Sequence, residues 1–212
     1  MSNFVQYLVA GVSIGAIYSM IAMGFVLLWQ TSNTINFAQG EFVVLPSFAM
    51  VLFWVVFGLP FVPALLATVA VSTLVLGVFV RKVLIARLLD RGLLPVVIAT
   101  LGLALLIRYS LEQFWTPLAL PFPSVFSRQS LPLGSIVLPW QSLMNLLCAG
   151  VVIGALHLFL SRTKLGWALQ AIAQNRPLAL VLGINVDALI TLVFVLNAAL
   201  TAAAAILIAP IY

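Results

Sequence analysis

Charge is scarce in this chain. Its 212 residues hold four acids against nine Lys plus Arg, so 6% of positions are charged where a soluble domain has about 25%. Together with 65% hydrophobic residues and a mean hydropathy of +1.28, that scarcity excludes a water-soluble domain. There is one cysteine, Cys148, which excludes an internal disulfide. It lies in an apolar run and reads as a small buried hydrophobe. There is one histidine, His157. A metal site needs several ligands and none is near it in sequence, so His157 reads as an interfacial residue near a span end. No Ser/His/Asp set, metal-ligand cluster or GxxxxGK[ST] phosphate loop is present, so the chain does not read as an enzyme and any ATP hydrolysis belongs to a partner. Met1 to Gln6 lacks a basic n-region and the apolar run continues too far for a cleavable signal. A pI near 10.0 does not point to nucleic acid, because the basic residues fall into two short blocks between apolar runs.

The apolar runs reach the roughly 20 residues that cross a bilayer. They predict an all-α polytopic transmembrane bundle of about six spans, one domain over residues 1–212. The spans fall near Phe4–Trp29, Phe42–Phe57, Phe61–Val80, from Leu93 towards Arg108 and Glu112, Leu143–Leu160 and Ala188–Ala209. In the first, Gly11, Gly15 and Ser19 form a small-xxx-small series that predicts a tight helix–helix contact. Gly58-Leu59-Pro60 breaks the second. Arg108 and Glu112 stand at i, i+4 and suit a weak exposed ion pair. Phe114–Trp140, with Pro117, Pro121, Pro123, Pro132 and Pro139, is too broken for a span and reads as an exposed loop with short elements. Trp115 and Trp140 at its ends fit an interfacial aromatic belt.

The basic blocks, Arg81–Arg91 and Arg162–Arg176, are separated by two spans and both go to the cytoplasmic side. The Pro-rich loop then faces outward. The stretch Thr31–Phe42, TSNTINFAQGEF, has no Lys or Arg and packs Asn33, Asn36, Gln39 and Glu41 between apolar runs. As a simple loop it is cytoplasmic and the N-terminus external; as a re-entrant segment it reverses that inference, and it must then be covered by protein or line a water-filled cavity. One reading is an ordinary loop capped by Asn33 or Asn36. The other is a polar element lining a transport path. On a helix Asn36, Gln39 and Gly40 share one face, and Gly40 admits a close backbone. Asn and Gln donate and accept without trapping a charge. Glu41 suits a helix N-terminus at the start of span two rather than the substrate.

Residues 161–187 hold the second basic block. Leu165, Leu169 and Ile172 alternate with Gln170, Gln174, Asn175 and Arg176, predicting two small helices on the cytoplasmic face. Asn175 caps the second, Pro177 is tolerated in its first turn, and Gly183 ends it with φ > 0. Such a segment either lies on lipid or docks apolar anchors into a groove on a soluble partner.

Three motifs carry a family resemblance. Ile35-Asn36-Phe37-Ala38-Gln39-Gly40-Glu41, Ile98-Ala99-Thr100-Leu101-Gly102-Leu103, and Ala173-Gln174-Asn175 through Leu182-Gly183-Ile184-Asn185 resemble, in order and spacing, the branched-chain amino-acid ABC permeases of the Liv H type. The resemblance covers nearly the whole chain. It implies a multi-pass subunit of a bacterial inner-membrane importer, without a cofactor. Its partners are a second permease subunit (a heterodimer), two ATP-binding subunits and a periplasmic binding protein that delivers branched-chain or other neutral amino acids. The path-lining reading takes in Asn33, Asn36, Gln39, Gly40, Glu41 and Thr100. Amphipathic spacing, position on the basic side and the resemblance together assign ATPase coupling to Ala171, Asn175, Pro177, Leu182, Gly183 and Asn185. Urea and short-chain amide permeases share these signatures. Family members run on through further helices and a Gly-rich segment, so this chain looks C-terminally truncated. Pro177 sits where helix formers are usual. A rival from another class is an ion-coupled secondary transporter, which needs intramembrane charges for coupling. Glu41 is the only acid near a membrane path, and no inverted repeat is visible.

Overall fold

A computed structural model describes residues 2–88, 91–114, 122, 130–133 and 136–210. It is an all-α bundle with one short hairpin. Helix α1 spans Ser2–Ser32. Helix α2, Gln39–Val51, continues through wide π-type turns over Leu52–Val56. Helix α3, Phe61–Ser72, continues likewise over Thr73–Ile85 and closes with one α-turn, α4, Ala86–Leu88. Helix α5 covers Leu93–Phe114. Strands β1, Ser130–Leu133, and β2, Ile136–Pro139, pair antiparallel. Then come α6, Trp140–Arg162, α7, Lys164–Gln174, α8, Arg176–Val181, and α9, Val186–Ile208. Among the described residues six helical stretches are long and apolar enough to cross a membrane: Phe4–Ser32, Gln39–Val56, Phe61–Leu88, Leu93–Gln113, Trp140–Arg162 and Val186–Ile208.

Helix α9 is the axis of the bundle. It packs against α1, α2, α3 and the wide-turn extension of α3, and Val193, Ala198, Ala202, Ala204 and Ala205 are fully enclosed. Its small residues let neighbouring backbones approach, which is how helices associate where lipid removes the hydrophobic drive. The outer helices turn Leu66, Leu74, Leu105, Leu106, Val151 and Leu158 outward, as lipid-facing surfaces require. Helices α1 and α6 run parallel. The second half of α1, Ser19 to Gln30, lines a groove with Leu156 and Leu160 of α6. The C-terminus of α1 therefore lies at the end where Arg162, Lys164 and Arg176 follow α6, and its N-terminus at the opposite end. That is the orientation expected of a simple loop at Thr31–Phe42.

Several sequence expectations are corrected. Span one ends at Ser32 rather than Trp29, and span three runs on to Leu88 rather than stopping at Val80. Arg81 is consequently not in a loop. It lies inside the helix and is 2% exposed. Among the described residues no helix packs on Gly11, Gly15 and Ser19: all three are exposed, and a Cβ at either glycine meets nothing within 4 Å, so the expected contact requires a helix from outside them. The inward stripe of α1 is instead Ser13, Ile17, Met20, Gly24 and Leu28. Most of Phe114–Trp140, including Trp115, lies outside the described residues. Trp140 opens α6, and Arg108 and Glu112 form an exposed pair at 3.3 Å. Cys148 is half-buried in α6 rather than fully enclosed.

Candidate functional site

The polar stretch forms a sharp break between α1 and α2. At the end of α1 the Thr31 and Ser32 hydroxyls turn back onto the Leu27 and Leu28 carbonyls, at 2.8 and 2.6 Å. Asn33 follows with φ +51°, and its N–H donates to the Trp29 carbonyl. Asn tolerates this left-handed conformation better than most residues, which suits it to a helix stop. The Ser32 and Thr34 hydroxyls lie 2.7 Å apart. Asn36 Oδ1 accepts the Ala38 N–H at 3.0 Å, and the Asn36 carbonyl accepts the Gln39 N–H. Helix α2 starts there, with Glu41 in its first turn, where the helix dipole favours an acid.

This geometry brings the break back into the bundle. Gln39 and Asn197 exchange two hydrogen bonds of 3.0 Å each. Asn197 is fully buried and lies midway along α9. The pair needs a gap on α1: a Cβ at Gly24 would stand 2.3 Å from Asn197 Oδ1. Beside it the Phe37 N–H donates to Thr100 Oγ1 of α5 at 3.3 Å, and Thr100 is fully buried. Thr201, one turn beyond Asn197, is also buried and donates to the Asn197 carbonyl. Asn36 is 4% exposed, and its Nδ2 has no partner among the described residues. A buried donor without a partner costs free energy. The result is a neutral amide and hydroxyl cluster where the start of α2 meets α5 and the middle of α9, with room left by Gly24 of α1.

The second polar region is the α7–α8 segment. Thr163 turns the chain: its Oγ1 accepts the Gly166 N–H at 3.0 Å and donates to the Phe159 carbonyl at 2.7 Å. Gly166 is required at this corner, since a Cβ would meet the Leu160 carbonyl at 2.4 Å. Leu169 and Ile172 face the bundle, while Gln170 and Gln174 face out. Asn175 Oδ1 caps α8 through the Leu178 N–H at 3.0 Å, with Pro177 in the first turn. Helix α8 ends in a Schellman turn, in which Gly183 (φ +79°) donates to Leu180 and Ile184 to Ala179. Its glycine supplies the left-handed step. Asn185 Oδ1 then caps α9 through the Ala188 N–H. Leu178, Leu180, Val181 and Leu182 are exposed, leaving an apolar surface on the basic side.

Comparison with known proteins gives the family. Residues 7–212 match the family described as the branched-chain amino acid transport system permease component. The chain belongs to this family. It is 30% identical over 219 residues to the high-affinity branched-chain amino acid transport system permease protein BraD of Pseudomonas aeruginosa, covering 97% of this chain and 71% of that protein. It is 27% identical over 228 residues to the LivH permease protein of Escherichia coli K12, covering 99% and 71%. The LivH of Salmonella typhimurium is 26% identical over the same span. No solved structure matches. The permease is therefore a multi-pass membrane transport subunit.

The structure places the permease's sequence-derived residues unevenly. Asn36, Gln39 and Thr100 lie near one another at the start of α2, linked by the Gln39 N–H on the Asn36 carbonyl and the Phe37 N–H on Thr100 Oγ1. Asn36 precedes α2, so it does not share a helical face with Gln39 and Gly40. Gly40 is exposed and has nothing within 4 Å of a Cβ, so no backbone among the described residues packs on it. Asn33 is exposed at the helix stop, and Glu41 is half-buried. In the coupling segment Ala171 is half-buried, and Asn175, Pro177, Leu182, Gly183 and Asn185 are exposed. Sequence reasoning missed Asn197, Gly24, and the ion pair between Arg81 and Asp187. A lone Asn within an apolar span was a readable signal, since such a residue is costly in lipid and turns inward.

Proposed function

We propose that this permease passes branched-chain or similar neutral amino acids through the bacterial inner membrane, as one subunit of an ATP-driven importer. The Asn36–Gln39–Asn197–Thr100 cluster carries this reading. It is neutral, largely buried and has one donor, Asn36 Nδ2, without a partner among the described residues, which suits a zwitterion that must exchange hydrogen bonds without being trapped by a fixed charge. A periplasmic binding protein delivers the substrate. Of the importer's two ATP-binding subunits, one docks on the cytoplasmic α7–α8 surface of this chain, where Leu178, Val181 and Leu182 serve as apolar anchors. ATP hydrolysis is theirs. A second permease subunit packs against the open face of Gly11, Gly15 and Ser19.

The test is uptake by proteoliposomes holding the assembled importer and its binding protein. Leucine uptake that requires ATP and both ATP-binding subunits is the expected result. Uptake driven by an ion gradient without them overturns the reading. Uptake of urea but not leucine retains the ATP-driven importer and replaces the substrate.

A further inference from the structure

Outside the amide cluster, an ion pair joins Arg81 to Asp187 across two helices. Arg81 Nη2 donates to Asp187 Oδ1. The arginine side chain is 2% exposed, whereas that of Asp187 is 80% exposed in the first turn of α9. Arg81 Nε has no partner among the described residues. A guanidinium enclosed in a membrane span is unfavourable unless paired, so Arg81 depends on Asp187.

The surroundings make the pair more than an anchor. The turn from α8 to α9 has little slack. Its glycine step is closed by the bonds from Gly183 to Leu180 and from Ile184 to Ala179, and Asn185 caps α9 directly. A displacement of α8 therefore reaches the first turn of α9. Further into the membrane, the extension of α3 meets α9 backbone to backbone: a Cβ at Gly77 would lie 2.8 Å from Val195 Cα. Gly77 is one turn from Arg81, and Val195 about two turns from Asp187. The Gly77 contact holds the two helices close, and nearer the basic side the long Arg81 side chain bridges them.

We propose that the Arg81–Asp187 pair transmits movement of α7–α8 into the third span, which makes Asp187 a positioning residue for coupling hydrolysis to uptake. The proposal rests on the reading of α7–α8 as the ATPase dock. It is tested by measuring uptake and ATP hydrolysis side by side in reconstituted wild-type, Asp187→Asn, Asp187→Glu and Arg81→Gln/Asp187→Asn complexes. The double variant removes the stranded charge, so its fold does not depend on the pair. Asp187→Asn and the double variant should cut uptake per ATP hydrolysed by about tenfold, a usual size for a coupling between sites. Asp187→Glu should restore most of it. Wild-type uptake per ATP in the double variant overturns the proposal, as does a parallel fall of uptake, hydrolysis and complex yield in every variant. ATP-binding subunits that fail to bind even the wild-type chain overturn the docking reading itself, and the proposal with it.

Discussion

Gln39 and Asn197 stand 158 residues apart and satisfy each other's amides, with each Nδ2 or Nε2 donating to the other's side-chain oxygen at 3.0 Å. The bond joins the start of α2 to the middle of α9 and so fixes where the break after α1 re-enters the bundle. Reciprocal amide pairs have a second property. Either partner can exchange the other for a substrate carboxylate or ammonium, because each carries both donor and acceptor.

The pair should be visible as an energetic coupling. In a Gln39→Ala, Asn197→Ala double-mutant cycle on the purified permease, the interaction should be about 1–2 kcal/mol, as for interhelical side-chain bonds in membranes. Gly24→Ala should act through the same bond, since its Cβ would occupy the place of Asn197 Oδ1. Overpacking of this kind costs about 1–3 kcal/mol. Most of that loss should vanish in the Asn197→Ala background. Full additivity of Gly24→Ala and Asn197→Ala in thermal unfolding would disconnect them.

How much of this was legible in the sequence depends on the kind of signal. The spans were, because roughly 20 apolar residues leave few alternatives. So were the caps of the α7–α8 segment, because Asn175 and Gly183 act on their own neighbours. Which face of α1 turns inward was not. A helix apolar all round has no polar side to mark its exterior, and the small-residue series at Gly11, Gly15 and Ser19 pointed to the open face. Arg81 was misplaced for a related reason. The positive-inside rule assigns a side to a basic residue, but it does not say that the helix continues past it. Its partner Asp187 is 106 residues away, beyond any local pattern.

Gly15→Leu should separate the two faces of α1. The side chain enters open space in this chain, so the isolated permease should keep its thermal stability within about 0.5 kcal/mol, as for surface substitutions. Recovery of the second permease subunit on co-purification should drop. Unchanged assembly and uptake would place this face against lipid.

The α8 turn predicts a loss of coupling without a loss of insertion. Gly183→Ala forces an L side chain into the left-handed region, at about 1–2 kcal/mol. Asn175→Leu removes the N-cap, at about 1 kcal/mol. Gly183→Pro is more severe, because it also deletes the N–H that closes the turn on Leu180. All three should reach the membrane at normal levels and retain less ATP-binding subunit, with Gly183→Pro the most affected. Wild-type co-purification and transport in every one would reject the dock on α7–α8.

Asn36 gives the most direct test of the proposed path. In this conformation it is 4% exposed and held by the Ala38 N–H, with Nδ2 unpartnered among the described residues, so a thiol at this position should resist water-soluble maleimide at rest. If the cluster lines the path, the break between α1 and α2 must open to water or substrate during turnover. The experiment replaces the native Cys148 with Ser and introduces a single cysteine at position 33, 36 or 39. The Asn33→Cys thiol, on an exposed residue, should label throughout and report that the reagent reaches this end of the bundle. The Asn36→Cys and Gln39→Cys thiols should label only when ATP, the ATP-binding subunits and loaded binding protein are all present, and substrate in excess should slow them. Thiols at 36 and 39 that stay unreactive in every state, while position 33 labels normally, would leave Asn36 as the cap of a closed turn and move the path elsewhere in the bundle.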